Sequence, residues 1–142
     1  MNWVSKAPAF GDMIRVRAGN FYHYGIYASD SEIIQFGVIP TRRAGVKDAD
    51  IEVCVTNLEE FLDGGSAEVG ECDGEEAKKK RSPEETVSYA RSRLGVKGYN
   101  IIHNNCEHFA NDCLLGEKKC EQESSVREHF RRLMAEKYGS KN

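Results

Sequence analysis

The 142-residue sequence contains no run of about 20 apolar residues, which is the length that a helix needs to cross a bilayer. Its first residues lack the basic-then-apolar layout of a secretory signal, and this predicts a cytoplasmic protein. It also lacks an excess of basic residues. The 20 lysines and arginines stand against 23 acidic residues, for a formal net charge of −3, which argues against nucleic acid as a main partner.

The cysteines show no pairing pattern. There are five, an odd number that cannot form a complete set of intramolecular disulfides, and without an export signal they are expected to be thiols. No Cys-x-x-Cys pair occurs, and the spacing of His103, Cys106, His108, Cys113 and Cys120 is not that of a zinc site. We therefore expect no metal and no cofactor. The question that remains is whether one thiol is a nucleophile.

The length fits one domain over 1–142, since a typical domain has about 100–150 residues. Alternation of apolar and polar residues and brief polar turns predict strands in the first half, the first three as an antiparallel meander, at 12–17, 21–28, 32–37 and 51–56. Asn57 can cap a short helix that ends at Leu62. The glycine-rich, highly charged segment 63–81 is predicted to be a polar loop.

The second half is typical of helices. Ser82, Pro83 and Glu85 predict a helix start with a capping box. A second helix is predicted from about Cys106 to Leu115, capped by Asn104 or Asn105 and stopped by Gly116, and a third over 124–138. The apolar stripe of the third helix is expected to dock on the domain rather than on a membrane. The fold class is α+β, with an antiparallel sheet first and helices packed on it.

Cys106 is the cysteine best placed for chemistry. In the first turn of a helix, the backbone N–H groups and the positive end of the dipole stabilise a thiolate, which is the reactive form. The same N–H groups can hold the oxyanion that forms when a thiol attacks an acyl carbonyl. The alternative is that Cys106 is a small buried hydrophobic residue, as free cysteines often are.

A nucleophilic cysteine needs a base, and His23 is the best candidate. It lies on an aromatic strand, which is rigid enough to present an imidazole to a helix packed on the sheet. Gln35, on the next strand, can orient the His23 ring through its amide. A purely structural role for a single strand histidine is the alternative. The other histidines are less well placed by their position in the chain: His103, His108 and His129.

Two sequence boxes resemble a known family. The segment 105–111, Asn-Cys-Glu-His-Phe-Ala-Asn, is similar to the cysteine box of the lecithin retinol acyltransferase-like family. The segments 11–14 and 23–27 resemble the histidine box of that family. The match runs in the right order from about residue 8 to residue 116, and the two boxes together are a specific signal.

The resemblance implies a circularly permuted papain-like fold, shared with NlpC/P60 peptidases, in which the histidine strand comes first and the cysteine helix last. It implies Cys106 as the nucleophile and His23 as the general base. Gln35 takes the third position, where many members have histidine, and Tyr24 stands where tryptophan is common. We expect Tyr24 and Asn105 to lie near the reacting atoms, on the oxyanion side.

The resemblance also implies an activity. A thiolate would attack an ester of a glycerophospholipid, and water, an amine or an alcohol would accept the acyl group from the thioester. The expected partner is a lipid ester or another acyl donor. The tail at 137–142 has no hydrophobic anchor, so the enzyme is expected to meet lipid by peripheral contact at an interface, to use a soluble acyl donor or to act on another substrate. Two alternatives stay open. One is a cysteine peptidase, isopeptidase or amidase of the same permuted fold, and the other is a binding module without catalytic activity.

Overall fold

The computed structural model describes residues 1–38, 51–98 and 105–117. Within these ranges the chain is α+β, as predicted, with six strands and four helices in chain order. They are β1 (Asn2–Val4), β2 (Met13–Ala18), β3 (Phe21–Ser29), β4 (Glu32–Val38), β5 (Ile51–Thr56), α1 (Leu58–Leu62), β6 (Glu68–Glu71), α2 (Gly74–Lys79), α3 (Pro83–Ser92) and α4 (Cys106–Leu115).

The strands form one six-stranded sheet in the order β1-β6-β2-β3-β4-β5, and all neighbouring strands are antiparallel. The meander predicted for the first three strands is confirmed as β2-β3-β4. In the first hairpin Ala18 pairs with Phe21 across a tight turn, and the register continues back to the pair of Met13 and Ile26. This register fixes which side chains of β2 and β3 are neighbours.

The prediction of a polar loop over 63–81 is wrong, because this segment contains β6 and α2. Val69 in β6 is 1% exposed and pairs with both Val4 and Ile14, so the segment is held as a strand by partners on either side. Composition cannot show such distant pairing. The charge run fits a short helix, with acidic residues in the first turn and lysines in the last, which matches the helix dipole.

The sheet is covered on both faces. On one face, which we call the α4 face, Tyr24, Ile26 and Phe36 form a core cluster with the buried sides of α3 and α4. On the opposite face, which we call the α1 face, Ile14 and Ile33 pack with Phe61 of α1 in a smaller cluster that also contains Val16 and Val69. Because side chains alternate along a strand, adjacent residues of β3 lie on different faces.

Both predicted helix starts in the second half are confirmed. Ser82 and Glu85 form a capping box at the start of α3, and α4 runs from Cys106 to Leu115 with Gly116 in the left-handed conformation at its end. Within the described ranges, no helix has both the length and the apolar character that a membrane crossing requires. Several earlier predictions lie outside the described residues: the helix over 124–138, His103, Asn104, Cys120 and His129.

Candidate active site

The start of α4 fixes the position of Cys106. Asn105 is the N-cap, and its side-chain oxygen accepts hydrogen bonds from the backbone N–H groups of Glu107 at 2.9 Å and His108 at 3.0 Å. In return, His108 Nδ1 accepts the N–H of Asn105 at 3.1 Å. Cys106 is fully buried in this first turn. The thiol therefore lies at the positive end of the helix dipole, where a thiolate is stabilised.

The cap also changes the role expected of the backbone. The N–H groups of Glu107 and His108 were candidates to bind an oxyanion at Cys106, but both already donate to the Asn105 side chain. An oxyanion at the sulfur would have to compete with this cap for the same donors. The backbone N–H of Cys106 itself is not one of the two groups that the cap engages.

His23 and Gln35 form a buried pair on the α1 face. Both are 1% exposed, and His23 Nε2 lies 2.7 Å from Gln35 Oε1. An amide oxygen only accepts, so this contact requires a hydrogen on Nε2 and makes Nδ1 the basic nitrogen. The His23 ring packs against Phe61 with 5.0 Å between ring centroids, and Gln35 Nε2 also donates to Cys54 Sγ at 3.7 Å.

Tyr24 lies on the α4 face, in the same core cluster as Cys106. It is 3% exposed and its ring meets the Trp3 ring edge-on, with 5.7 Å between centroids. Burial raises the pKa of the Tyr24 phenol well above its usual range, and the negative charges of Glu107 and Cys106 raise it further. A hydrogen bond from Arg15 lowers the pKa but does not outweigh these effects. The phenol therefore keeps its proton and stays a hydrogen-bond donor.

The structure gives the surroundings of each predicted site residue. Cys106 follows its cap Asn105 at the start of α4 and belongs to the same core cluster as Tyr24. His23 and Gln35 are bonded to each other, and the His23 ring lies against Phe61.

The four cysteines within the described residues are free thiols in different surroundings. Cys113, also on α4, is fully buried, and this burial raises the pKa of its thiol. Burial also raises the pKa of Cys72, with a further increase from the charge of Glu76. Cys113 lies in the second half of α4, away from the helix N-terminus, so it is a natural comparison for Cys106.

Sequence reasoning missed Arg15, which lies directly across from Tyr24 in the β2–β3 pair. Its guanidinium carbon lies 4.2 Å from the Trp3 ring centroid and 3.8 Å from that of Tyr22. Its Nε donates to Glu68 Oε1 at 2.7 Å. The tight turn after Ala18 was the available signal, because counting back from it in register pairs Arg15 with Tyr24.

Among the residues described here, no three histidine, cysteine or acidic side chains are grouped as a metal ion would require. The candidate nucleophile of the α4 face is the Cys106 thiol at the start of α4.

The family model that matches this chain and the first similar proteins carry the same name. The family model for lecithin retinol acyltransferase matches residues 6–119. The lecithin retinol acyltransferase of Mus musculus is 29% identical over 126 residues, which cover 76% of this chain and 54% of the mouse protein. Its Homo sapiens counterpart is 28% identical over 124 residues, covering 75% of this chain and 54% of the human protein.

A second kind of relative carries a different name. Phospholipase A and acyltransferase 4 of Homo sapiens is 26% identical over 126 residues, which cover 82% of this chain and 76% of that protein. The chain spans about half the length of the lecithin retinol acyltransferases that it matches.

Proposed function

The chain belongs to the lecithin retinol acyltransferase family, and on that premise we propose that it transfers acyl groups from lipid esters, to water or to another acceptor. The family resemblance of the cysteine and histidine boxes is thereby confirmed. The names of the relatives support acyltransferase and phospholipase-type activity. The order of a histidine strand before a cysteine helix supports the finer proposal of a circularly permuted papain-like (NlpC/P60) fold.

The observation that carries the proposal is the place of Cys106. Its thiol lies in the first turn of a helix whose cap is complete, on the face of the sheet that the helix covers. Such a position lowers the cost of forming a thiolate, and a thiolate is the nucleophile that acyl transfer needs. Cys106 lies inside the segment that the family model matches.

The proposed reaction has two steps. The Cys106 thiolate adds to the ester carbonyl, the alcohol leaves, and an acyl-cysteine thioester remains. Water, an amine or an alcohol then attacks the thioester and releases the thiol. His23 is the proposed general base and Gln35 the residue that orients it, because the bond between them fixes which ring nitrogen is basic.

A second histidine lies close in sequence to Cys106. His108 is in the first turn of α4, where its Nδ1 accepts the N–H of Asn105 at 3.1 Å, and it is the competing base.

A trapped adduct tests the proposal. We expect intact mass spectrometry after incubation with p-nitrophenyl butyrate, or with phosphatidylcholine vesicles, to show an acyl adduct that maps to Cys106. Cys106→Ala removes the adduct, whereas Cys113→Ala, the matched change on the same helix, leaves it. An adduct on another residue, or none with either donor, would overturn the proposal. Turnover of a peptide substrate alone would instead favour the cysteine peptidase.

Gln35, at the position where many family members have histidine, favours a second candidate function, a binding module that keeps the family's fold without catalysis. Thiol alkylation at neutral pH distinguishes the two candidates. An active site predicts that Cys106 reacts much faster than Cys54 or Cys113, despite its burial. Equal labelling rates for these thiols would support the binding module. The cytoplasmic location stays a prediction.

A further inference from the structure

A buried series of hydrogen bonds runs from His23 through Gln35 to Cys54. Gln35 and Cys54 are directly paired across β4 and β5, so their side chains lie on the same face of the sheet. Gln35 Oε1 lies 2.7 Å from His23 Nε2, and Gln35 Nε2 donates to Cys54 Sγ at 3.7 Å. Cys54 Sγ in turn donates to the carbonyl oxygen of Gly37 at 3.8 Å. Cys54 is 7% exposed and the other two side chains 1%, so the series is shielded from water.

The amide of Gln35 has two different ends, and its orientation decides the tautomer of His23. With Oε1 toward the ring, the ring carries its hydrogen on Nε2, and Nδ1 is the nitrogen that accepts a proton. If the amide were turned over, its NH2 group would face the ring and Nε2 would have to be the acceptor. The ring does not select between these states, because a neutral imidazole can donate or accept at Nε2.

The far end of the amide makes the selection, because it meets Cys54. The S–H of Cys54 is directed to the Gly37 oxygen, so the sulfur presents only lone pairs to the amide. The NH2 group is satisfied at this sulfur. In the reverse orientation, Oε1 would face the same lone pairs and would lie in a buried place without a donor, which is costly for a polar atom.

We propose that Cys54 is a positioning residue that acts through the Gln35 amide to keep the hydrogen of His23 on Nε2 and to leave Nδ1 as the basic nitrogen. The inference deepens the proposed acyl transfer and rests on it. In that reaction the S–H bond of Cys106 breaks and its proton passes to Nδ1, from which the leaving alkoxide takes it to depart as the alcohol. Nε2 carries a hydrogen before and after this transfer, so the selected amide orientation suits both forms of the ring.

Nuclear magnetic resonance tests the tautomer without any turnover. Long-range ¹⁵N–¹H correlation spectra of the ¹⁵N-labelled chain report which ring nitrogen carries the hydrogen, and the spectrum of His23→Ala identifies the signals of that ring. Cys54→Val is similar in volume to wild type but has no acceptor, whereas Cys54→Ser keeps an acceptor and a donor. We expect the hydrogen on Nε2 in wild type and in Cys54→Ser, and a mixture of both tautomers in Cys54→Val.

Steady-state kinetics with p-nitrophenyl butyrate test the consequence for catalysis. Only the fraction of molecules with the correct tautomer can use Nδ1 as a base, so kcat should fall in proportion to that fraction. We expect Cys54→Val to lower kcat by about two- to tenfold, with little change in KM, and Cys54→Ser to stay close to wild type. Cys72→Val is the control for loss of a thiol outside this series, and it should leave both the tautomer and kcat unchanged.

The results separate this inference from the proposed function. If Cys54→Val does not fold, Cys54→Ala replaces it and is expected to show the same mixture. A tautomer that is unchanged in the variant without an acceptor would overturn the inference, and so would an equal mixture in Cys54→Ser, which would indicate packing instead. Tautomer shifts in a chain whose wild type shows neither turnover nor an acyl adduct would overturn only the proposed function. Shifts without a change in kcat would overturn only the role of His23 as the base.

Discussion

His23 and Tyr24 are neighbours in sequence, yet they project to opposite faces of the sheet. This alternation sets which side chains are neighbours on each face. Tyr24 belongs to the cluster that contains Cys106, while His23 is bonded to Gln35. Which histidine acts as the base for Cys106 is a question that variants can answer.

Two histidine variants answer it. We expect His23→Ala to lower kcat on p-nitrophenyl butyrate by at least about 100-fold, the usual contribution of a general base. His108→Gln is the matched variant, because glutamine can keep the capping bond to the Asn105 N–H while removing the imidazole. A loss confined to His108→Gln would assign the base to His108. No loss in either variant would show that neither histidine is the base.

At the scale of single elements, the start of α4 depends on one side chain. Asn105 accepts hydrogen bonds from two backbone N–H groups of the first turn. We expect Asn105→Ala to lower the free energy of unfolding by about 1 kcal/mol, as loss of an N-cap usually does. Urea unfolding measures this difference. Asn105→Asp keeps an acceptor and should stay close to wild type, and equal stability of all three chains would contradict the assignment of the cap.

Helix ends were predictable because their signals are local. Asn57, Ser82 and Asn105 each mark a start with their own side chain, and Gly116 marks an end by its left-handed conformation. β6 was missed for the opposite reason. Its four residues form a strand only because β1 and β2 lie on either side, and nothing within 68–71 specifies those partners.

The candidate site was predictable in part. The position of Cys106 at a helix start and the contact of Gln35 with His23 both followed from short-range patterns. The face of the sheet that α4 covers could not be predicted from such patterns. Residues 23–26 are all buried, so neither face of β3 is marked as polar, and alternation alone cannot show where a distant helix packs.

At the scale of the whole molecule, a bidentate ion pair ties α3 to the edge of the meander. Arg91 donates to both carboxylate oxygens of Glu32, at 2.9 Å and 2.7 Å. This hydrogen bonding lowers the pKa of Glu32 below its usual value, although desolvation acts in the opposite direction. The folded state therefore binds this proton less readily than the unfolded state, and the pair stabilises the fold when Glu32 is ionised.

The sign of the pH dependence follows from that shift. Above the pKa of Glu32 in the unfolded chain the full stabilisation is present, and it is lost as the pH falls through the lower pKa of the folded state. We expect Glu32→Gln to be less stable than wild type at neutral pH, and the two urea unfolding curves to converge in acid. In an Arg91→Met background the substitution should have no pH-dependent effect. A difference that persists unchanged in acid would contradict the linkage.

The strand order has a consequence for how the chain assembles. β2, β3 and β4 are consecutive and joined by short turns, so they can pair by closing short loops, which costs little conformational entropy. β6 follows β5 and α1 in the sequence, but it pairs with β2. Since β1 pairs with β6, β1 can pair only after β6 is in place. Although β1 precedes the other five strands in the sequence, we expect it to be the last of the six to pair, so that the sheet grows outward from its middle.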